Sequence, residues 1–311
     1  MKKELIISFL CGLMVVAGTA CNNKNTPDAP ESKEVKKRFL TINTQNGTAS
    51  PRRIINATIN DEGSTLSSSW TAGDGLSYCN LSRQNQVGPA AYEVYQGSLT
   101  AIETKPISMV TGDVDCTKDD YLAVVYPANN TFEFISAGTQ YRYTFPLTGQ
   151  NGTLEKVATD YHQVYGRAYV TAVTDKTADA TMPKMQSLLT ICKFSFKDKD
   201  TDADIPVNTL TISYNDATSE NNKYPQQGQV TVTVTTANHE AQATKYDVTE
   251  PLVITCPSEM NEVYVALMPE IASRTYNFTV TNTEGTYTGT ASAWLKKGEF
   301  VPATGLKLTK N

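Results

Sequence analysis

Three segments in the second half of the chain alternate apolar and polar residues with a period of two. The apolar sets are Leu210, Ile212 and Tyr214 in TLTISY, Val230, Val232 and Val234 in VTVTV, and Tyr276, Phe278 and Val280 in TYNFTV. Successive side chains of an extended strand point to opposite faces, so each segment buries one face and wets the other. Several such strands, separated by turn residues, predict antiparallel β-sandwich structure rather than a parallel α/β sheet. The abundance of Thr and Tyr agrees, because β-branched and aromatic side chains suit a pleated surface.

The first half is less regular. YLAVVYP (121–127) is a nearly continuous apolar run, as expected of a strand buried on both faces. In GTLEKVATDYHQVY (152–165), Leu154, Val157, Tyr161 and Val164 fall at helix-like intervals and predict one short helix. DKTADATMP (175–183) is small, polar and Pro-terminated, the composition of an interdomain link. A length of 311 residues suits about two domains. The expected fold is therefore all-β, with one sandwich over 39–184 and a second over 185–311. No internal repeat suggests a solenoid or propeller.

Ahead of these modules, Lys2 and Lys3 precede an apolar run from Leu5 to Ala17, then Gly18-Thr19-Ala20-Cys21. The run is too short to span a membrane and reads as an export signal over residues 1–20. Small residues directly before a cysteine resemble the lipobox of bacterial lipoproteins, in which that cysteine becomes the acylated N-terminus. The alternative is an ordinary cleaved secretory signal. Residues 21–38 are polar, charged and Pro-bearing, as a flexible tether should be.

Little in the chain points to catalysis. There are only two histidines, His162 in the helix-like segment and His239 in a polar turn, and no G-x-S-x-G elbow or Gly-rich phosphate loop accompanies them. Asp198, Asp200, Asp202 and Asp204 invite a calcium reading, but the sharp-turn Gly and closing Glu of an EF-hand-type loop are absent. A hairpin tip gives the same pattern. No CxxC implies zinc, so no cofactor is expected. Cys192 and Cys256 share faces with apolar neighbours and read as small buried hydrophobes. The spacing of Cys79, Cys116, Cys192 and Cys256 announces no disulfide framework. A formal charge of −5 gives no basic footprint for nucleic acid.

Several stretches, in order, resemble the fimbrillin family, subunits and accessory proteins of the type V pili of anaerobic Gram-negative bacteria. They are Trp70-Thr71-Ala72-Gly73-Asp74, Tyr121 to Pro127, Phe145-Pro146-Leu147 with Gln150-Asn151-Gly152-Thr153-Leu154, Met185 to Phe196, Val263 to Pro269, and Leu295-Lys296-Lys297-Gly298. The resemblance implies two transthyretin-like β-sandwiches, export as a lipoprotein, and cleavage by an Arg-specific protease in the loop after the first strand. It makes Cys21 the lipidated residue and Arg53 the cleavage site, with Arg52 the near alternative. Arg38 ranks lower, because a cut there leaves the first strand attached.

The strand so removed is 39–44, with Phe39, Leu40 and Ile42 as its apolar residues. Leu306 and Leu308 in the C-terminal GLKLTK are the expected donor teeth. Two plainer readings stay open: Arg52-Arg53 as a solvated loop pair, and GLKLTK as the sandwich's own last strand. The implied role is a stalk or tip subunit of an adhesive fimbria at the outer membrane and cell surface, and not an enzyme. Its partners would be other copies or other fimbrial subunits, the outer membrane through the lipid before cleavage, the protease, and a host glycan or protein. A non-polymerising surface lipoprotein, either a pilus anchor or a glycan-binding module, is the alternative.

Overall fold

The computed structural model describes residues 35–44, 58–61, 66–88, 92–104, 109–128, 131–135, 140–183, 185–214, 224–225, 229–246, 251–270 and 272–311. From the N-terminus come β1 (Lys36–Thr44), the short pair β2 (Thr58–Asp61) and β3 (Leu66–Ser69), then β4 (Gly75–Gln86) and β5 (Tyr92–Ala101). Next are β6 (Val110–Cys116), β7 (Tyr121–Tyr126), β8 (Glu133–Ile135) and β9 (Gln140–Pro146). One helical segment follows, α1 (Leu154–Lys156) continued by a π-turn over Val157–Tyr161. The expected helix is thus present, started by Thr153, whose hydroxyl accepts from the Lys156 N–H at 3.2 Å. Val164 has already left it for β10 (Val164–Val173), which leads to β11 (Thr177–Met182) and β12 (Gln186–Ser187).

The remaining strands are β13 (Thr190–Asp198), β14 (Asp204–Ile205), β15 (Val207–Tyr214), β16 (Tyr224–Pro225), β17 (Gln229–Thr235) and β18 (Ala241–Tyr246). The chain ends with β19 (Leu252–Met260), β20 (Val263–Leu267), β21 (Arg274–Asn282), β22 (Gly285–Ala293) and β23 (Phe300–Lys310). The fold is all-β, and the alternating apolar residues named above are the buried ones.

The first sheet has the order β11-β1-β6-β5-β4-β7-β10-β12, and β11 also pairs with β10, so its ladder closes on itself. The second sheet runs β14-β13-β23-β22-β21-β15-β16, with β19 beside β15 and β20 beside β13. A smaller sheet, β18-β17-β9-β8, draws strands from both sides of residue 184. Behind it lies a shared apolar cluster that includes Tyr141, Tyr143, Val232, Leu189, Ile191 and Ala266.

Two expectations need correction. Residues 175–183 are not an irregular link, because β11 occupies most of the segment. Ala178, Ala180 and Met182 are its buried face, and the small size of alanine hid the period of two. The pairing is also not purely antiparallel: β1 with β11 and β13 with β23 run parallel. Both pairs join strands far apart in sequence, which leaves ample chain for the long return that parallel neighbours require.

Several of the stretches quoted above prove to be mutual staples. Trp70 is buried edge-on against Tyr126, with ring centroids 5.7 Å apart, and anchors the turn that follows. In that turn the Asp74 carboxylate accepts from the Thr71 N–H at 2.7 Å, and Gly73 takes a φ of +96°, a conformation glycine adopts without a Cβ clash. Burial raises the Asp74 pKa, while the Thr71 hydrogen bond pulls it down. Gln150 is buried, donates to Ala266 O at 2.9 Å and accepts from Ala266 N at 2.7 Å, tying the loop after β9 to β20. Gly298 N donates to Leu189 O at 3.0 Å, and the Thr190 hydroxyl donates to Lys296 O at 2.8 Å.

Cys79, Cys116, Cys192 and Cys256 are free and buried. Burial pushes the Cys79 and Cys192 thiols far up and those of Cys116 and Cys256 to about 11, so none is a ready thiolate. A chain beginning after Cys21 should therefore react with Ellman's reagent only as fast as it unfolds, and release four equivalents at once in denaturant. Rapid modification of native protein would contradict the burial.

Candidate functional site

Leu40 and Ile42 are both fully buried, whereas Phe39 is 50 % exposed on the opposite face of β1. Of the three apolar residues expected to anchor this strand, two are teeth in the core and one is not, as the strand's alternation requires. Around the teeth stand Leu76, Leu99, Val110, Val114, Val124 and Ala180, among others, in one cluster. Burial of the two side chains contributes about 1.5–3 kcal/mol each.

The position of β1 in the sheet matters as much as its teeth. Lys36 to Ile42 pair antiparallel with Cys116 back to Val110, while Phe39 to Thr44 pair parallel with Thr177 to Met182. A strand flanked on both sides closes the ladder. Taken away, it leaves two facing edges of unpaired backbone groups on β6 and β11, with an apolar floor between them.

Arg38 holds the start of the strand. Its side chain is buried, and its Nε donates to Thr174 O at 2.7 Å, while a terminal nitrogen donates to the carbonyls of Lys36 (3.2 Å) and Cys116. An arginine fixed in this way is a poor substrate for a protease, which must take the side chain into its own pocket. Nothing local signals this anchoring, because Arg38 sits among Lys36, Lys37 and the polar tether. Arg38→Ala should destabilise the uncut chain by about 2–3 kcal/mol, through loss of charge-assisted hydrogen bonds to buried carbonyls. Arg38→Lys should recover only part, since one ammonium cannot reproduce the fork. Equal urea midpoints for all three proteins would argue against the contact.

The expected donor strand is part of the chain's own second sheet. From Phe300 to Leu308, β23 runs parallel to Ile191–Asp198 of β13, and only Thr309 and Lys310 pair with β22. Leu308 is buried against the second core, where Gly289 leaves it room: a Cβ on that glycine would meet Leu308 Cδ2 at 2.6 Å. Leu306 is half-buried and packs at the edge of the same cluster. Cys21, Arg52 and Arg53 lie outside the described residues.

The other residues singled out in the sequence have ordinary surroundings. Asp198 Oδ1 accepts from the backbone N–H of Asp200 (2.9 Å) and Thr201 (2.8 Å), which closes a hairpin tip. Asp202 pairs with Lys307, and Asp204 pairs with Lys197 at 3.1 Å. The carboxylates therefore diverge towards separate lysines. Among the described residues, no group of three or more His, Cys, Asp or Glu is placed to hold a metal ion. His162 is fully buried, and His239 stacks on Tyr121 with centroids 4.4 Å apart.

No protein-family model matches the chain, and no curated protein matches it. Among solved structures it is similar to a proposed cell adhesion protein from Bacteroides ovatus ATCC 8483, at 13 % identity and a TM-score of 0.48, over 89 % of this chain and 96 % of that one. A proposed cell adhesion protein from Parabacteroides distasonis ATCC 8503 shares 8 % identity, with a TM-score of 0.35 over 89 % and 94 %. The shaft pilin SpaA from Lactobacillus rhamnosus GG shares 11 %, with a TM-score of 0.33 over 89 % and 98 %. Similarity at this level does not make the chain a member of either group.

Proposed function

We propose that this chain is a structural subunit of an adhesive surface fimbria, exported as a lipoprotein on Cys21 and matured by a cut after Arg53 or Arg52. The cut releases residues 39–44, and another copy's C-terminal strand fills the slot. The observation that carries the reading is β1 itself, a strand with two fully buried teeth and a paired neighbour on each side, followed in sequence by an arginine pair.

Leu306 and Leu308 repeat the two-residue spacing of Leu40 and Ile42, so a strand of the same pitch can offer the same two teeth. β-augmentation of this kind restores both the ladder and the apolar contacts. In the free subunit β23 completes its own module, so exchange trades one buried pair for another. The net drive comes from the two open ladders flanking the vacant slot. A head-to-tail contact of this kind does not close and yields a filament. On this reading the chain consists of two sandwich modules meeting near residue 184, held at the cell surface.

N-terminal sequencing of the surface form, together with SDS electrophoresis without heating, tests the reading. A start at Ile54 and a ladder of bands are expected. A blocked N-terminus with residues 39–44 retained would replace it with the reading of a non-polymerising surface lipoprotein.

A further inference from the structure

A cleft of about 480 Å³ opens between the β17–β18 hairpin and the turn that follows β22. One wall carries Thr233, Asn238 and Gln242, and the other carries Trp294, Lys296 and Lys297. We propose that this cleft binds a neutral oligosaccharide, with Trp294 as the stacking platform.

Trp294 is the observation that starts the argument. It is 51 % exposed, in contrast to the chain's other tryptophan, Trp70, which is buried. Its orientation is nevertheless fixed. The indole Nε1 donates to Glu270 O at 2.9 Å, and the Lys296 ammonium lies 4.8 Å from the ring centroid. An indole held rigid at the mouth of a cleft loses little freedom when a ligand stacks on it. Its electron-rich face attracts the C–H-bearing face of a pyranose by the same quadrupole that attracts the lysine.

The opposite wall supplies polar groups, of which Asn238 is held in place. Asn238 Oδ1 accepts from Glu240 N at 3.1 Å and from the Thr235 hydroxyl, which sets the β17–β18 turn. Gln242, on the next strand, is exposed and pairs across the ladder with Thr233. Its side-chain amide offers a donor and an acceptor together, the combination that reads a sugar hydroxyl. Of the charged side chains lining the cleft, Glu240 and Glu270 balance Lys296 and Lys297, so the lining favours neither an anion nor a cation.

A peptide adding as a strand is the competing occupant, because β18 ends its sheet. Lys297 Nζ donates to Ala241 O at 3.0 Å, and so occupies a carbonyl that such a strand would need. A charged lysine at a sheet edge discourages pairing there. A ligand contacted mainly through side chains fits better.

This inference draws on the adhesive part of the reading above and is independent of strand exchange. The test uses the full uncut chain in a sugar-free detergent, titrated with maltohexaose, cellohexaose, mannohexaose and N-acetylchitohexaose while the heat of binding is followed by calorimetry, a readout that does not depend on Trp294 itself. A saturable change with at least one sugar is expected. Trp294→Ala should weaken that binding at least about tenfold, the equivalent of about 1.4 kcal/mol, and Gln242→Ala about threefold. Trp294→Phe should retain part of the affinity, because a smaller aromatic face remains. The thermal midpoint of Gln242→Ala should match the parent, since its side chain is exposed, and that of Trp294→Ala should fall by only a few degrees for the lost indole hydrogen bond, leaving the protein folded at the temperature of the titration.

No response to any of the four sugars, or a response that survives Trp294→Ala, would overturn the proposal. Binding of a polyproline decapeptide with no sugar response would overturn it in favour of a peptide groove. Assembly is scored separately on unheated gels, so a sugar-blind protein that still forms ladders would sink this site alone.

Discussion

Arg52→Ala combined with Arg53→Ala should yield a surface protein that keeps residues 39–44 and runs as one band without heating. The effect is expected to be all or none. While β1 stays in place, its seven pairings to β6 and six to β11 fill the slot, and an incoming strand finds neither open ladder nor apolar floor. Displacing it would expose Leu40 and Ile42, at a cost of about 3–6 kcal/mol for the two side chains before any backbone pairing is counted. Arg53→Ala alone should be cut at Arg52 and should assemble. A synthetic peptide of sequence RFLTINT, added to processed subunit, should fill the vacancy and stop growth, whereas the same peptide with Leu40→Asp should not. Ladders from the double variant would show that release of this strand is not the trigger.

The second large effect separates two adjacent teeth of the C-terminal strand. Leu308→Asp should unfold or severely destabilise the subunit, by about 3–5 kcal/mol, because it removes a buried leucine and places a carboxylate in the second core. Leu306→Asp, at a half-buried position beside Phe196, should cost the free subunit no more than about 1 kcal/mol. If the strand serves as donor, Leu306→Asp should still abolish ladders, because in the receiving slot its side chain would meet the floor now covered by Leu40 or Ile42. Urea unfolding of uncut protein reads the first quantity and unheated gels the second. A Leu306→Asp subunit that is as stable as the parent and also polymerises would exclude this strand as donor.

The strands themselves were legible wherever alternation was written in large side chains. Tyr276, Phe278 and Val280 announce their face, and the structure buries all three. The same logic failed at β11, where alanines form the buried face. Their small contrast with Asp179 and Thr181 made a strand look like a linker. The helix-like spacing of Leu154, Val157 and Tyr161 was sound for the helical segment at 154–161, but it overran into β10, since Val164 satisfies either period.

The site was legible in part. Leu40 and Ile42 stand out as teeth by their spacing, and Phe39, equally apolar, is told apart from them only by the direction of the strand's faces. In sequence Arg38 is one more residue of the basic run that begins at Lys36, whereas carbonyls that hold it come from Thr174 and Cys116, far along the chain. Trp294 offered no sequence signal at all, because an exposed indole and a buried one look alike in a strand-rich chain.

Local periodicity, turn residues and composition were enough to specify an all-β chain, because a strand's two faces are written into every second residue. Which strands become neighbours is a different matter. The closure of the first sheet through β1 and β11, the docking of β17 on β9 and the cleft beneath Trp294 all join segments with no local relation. Long-range pairing depends on the whole set of apolar faces finding one arrangement that buries them together, and only the tertiary structure shows which arrangement that is.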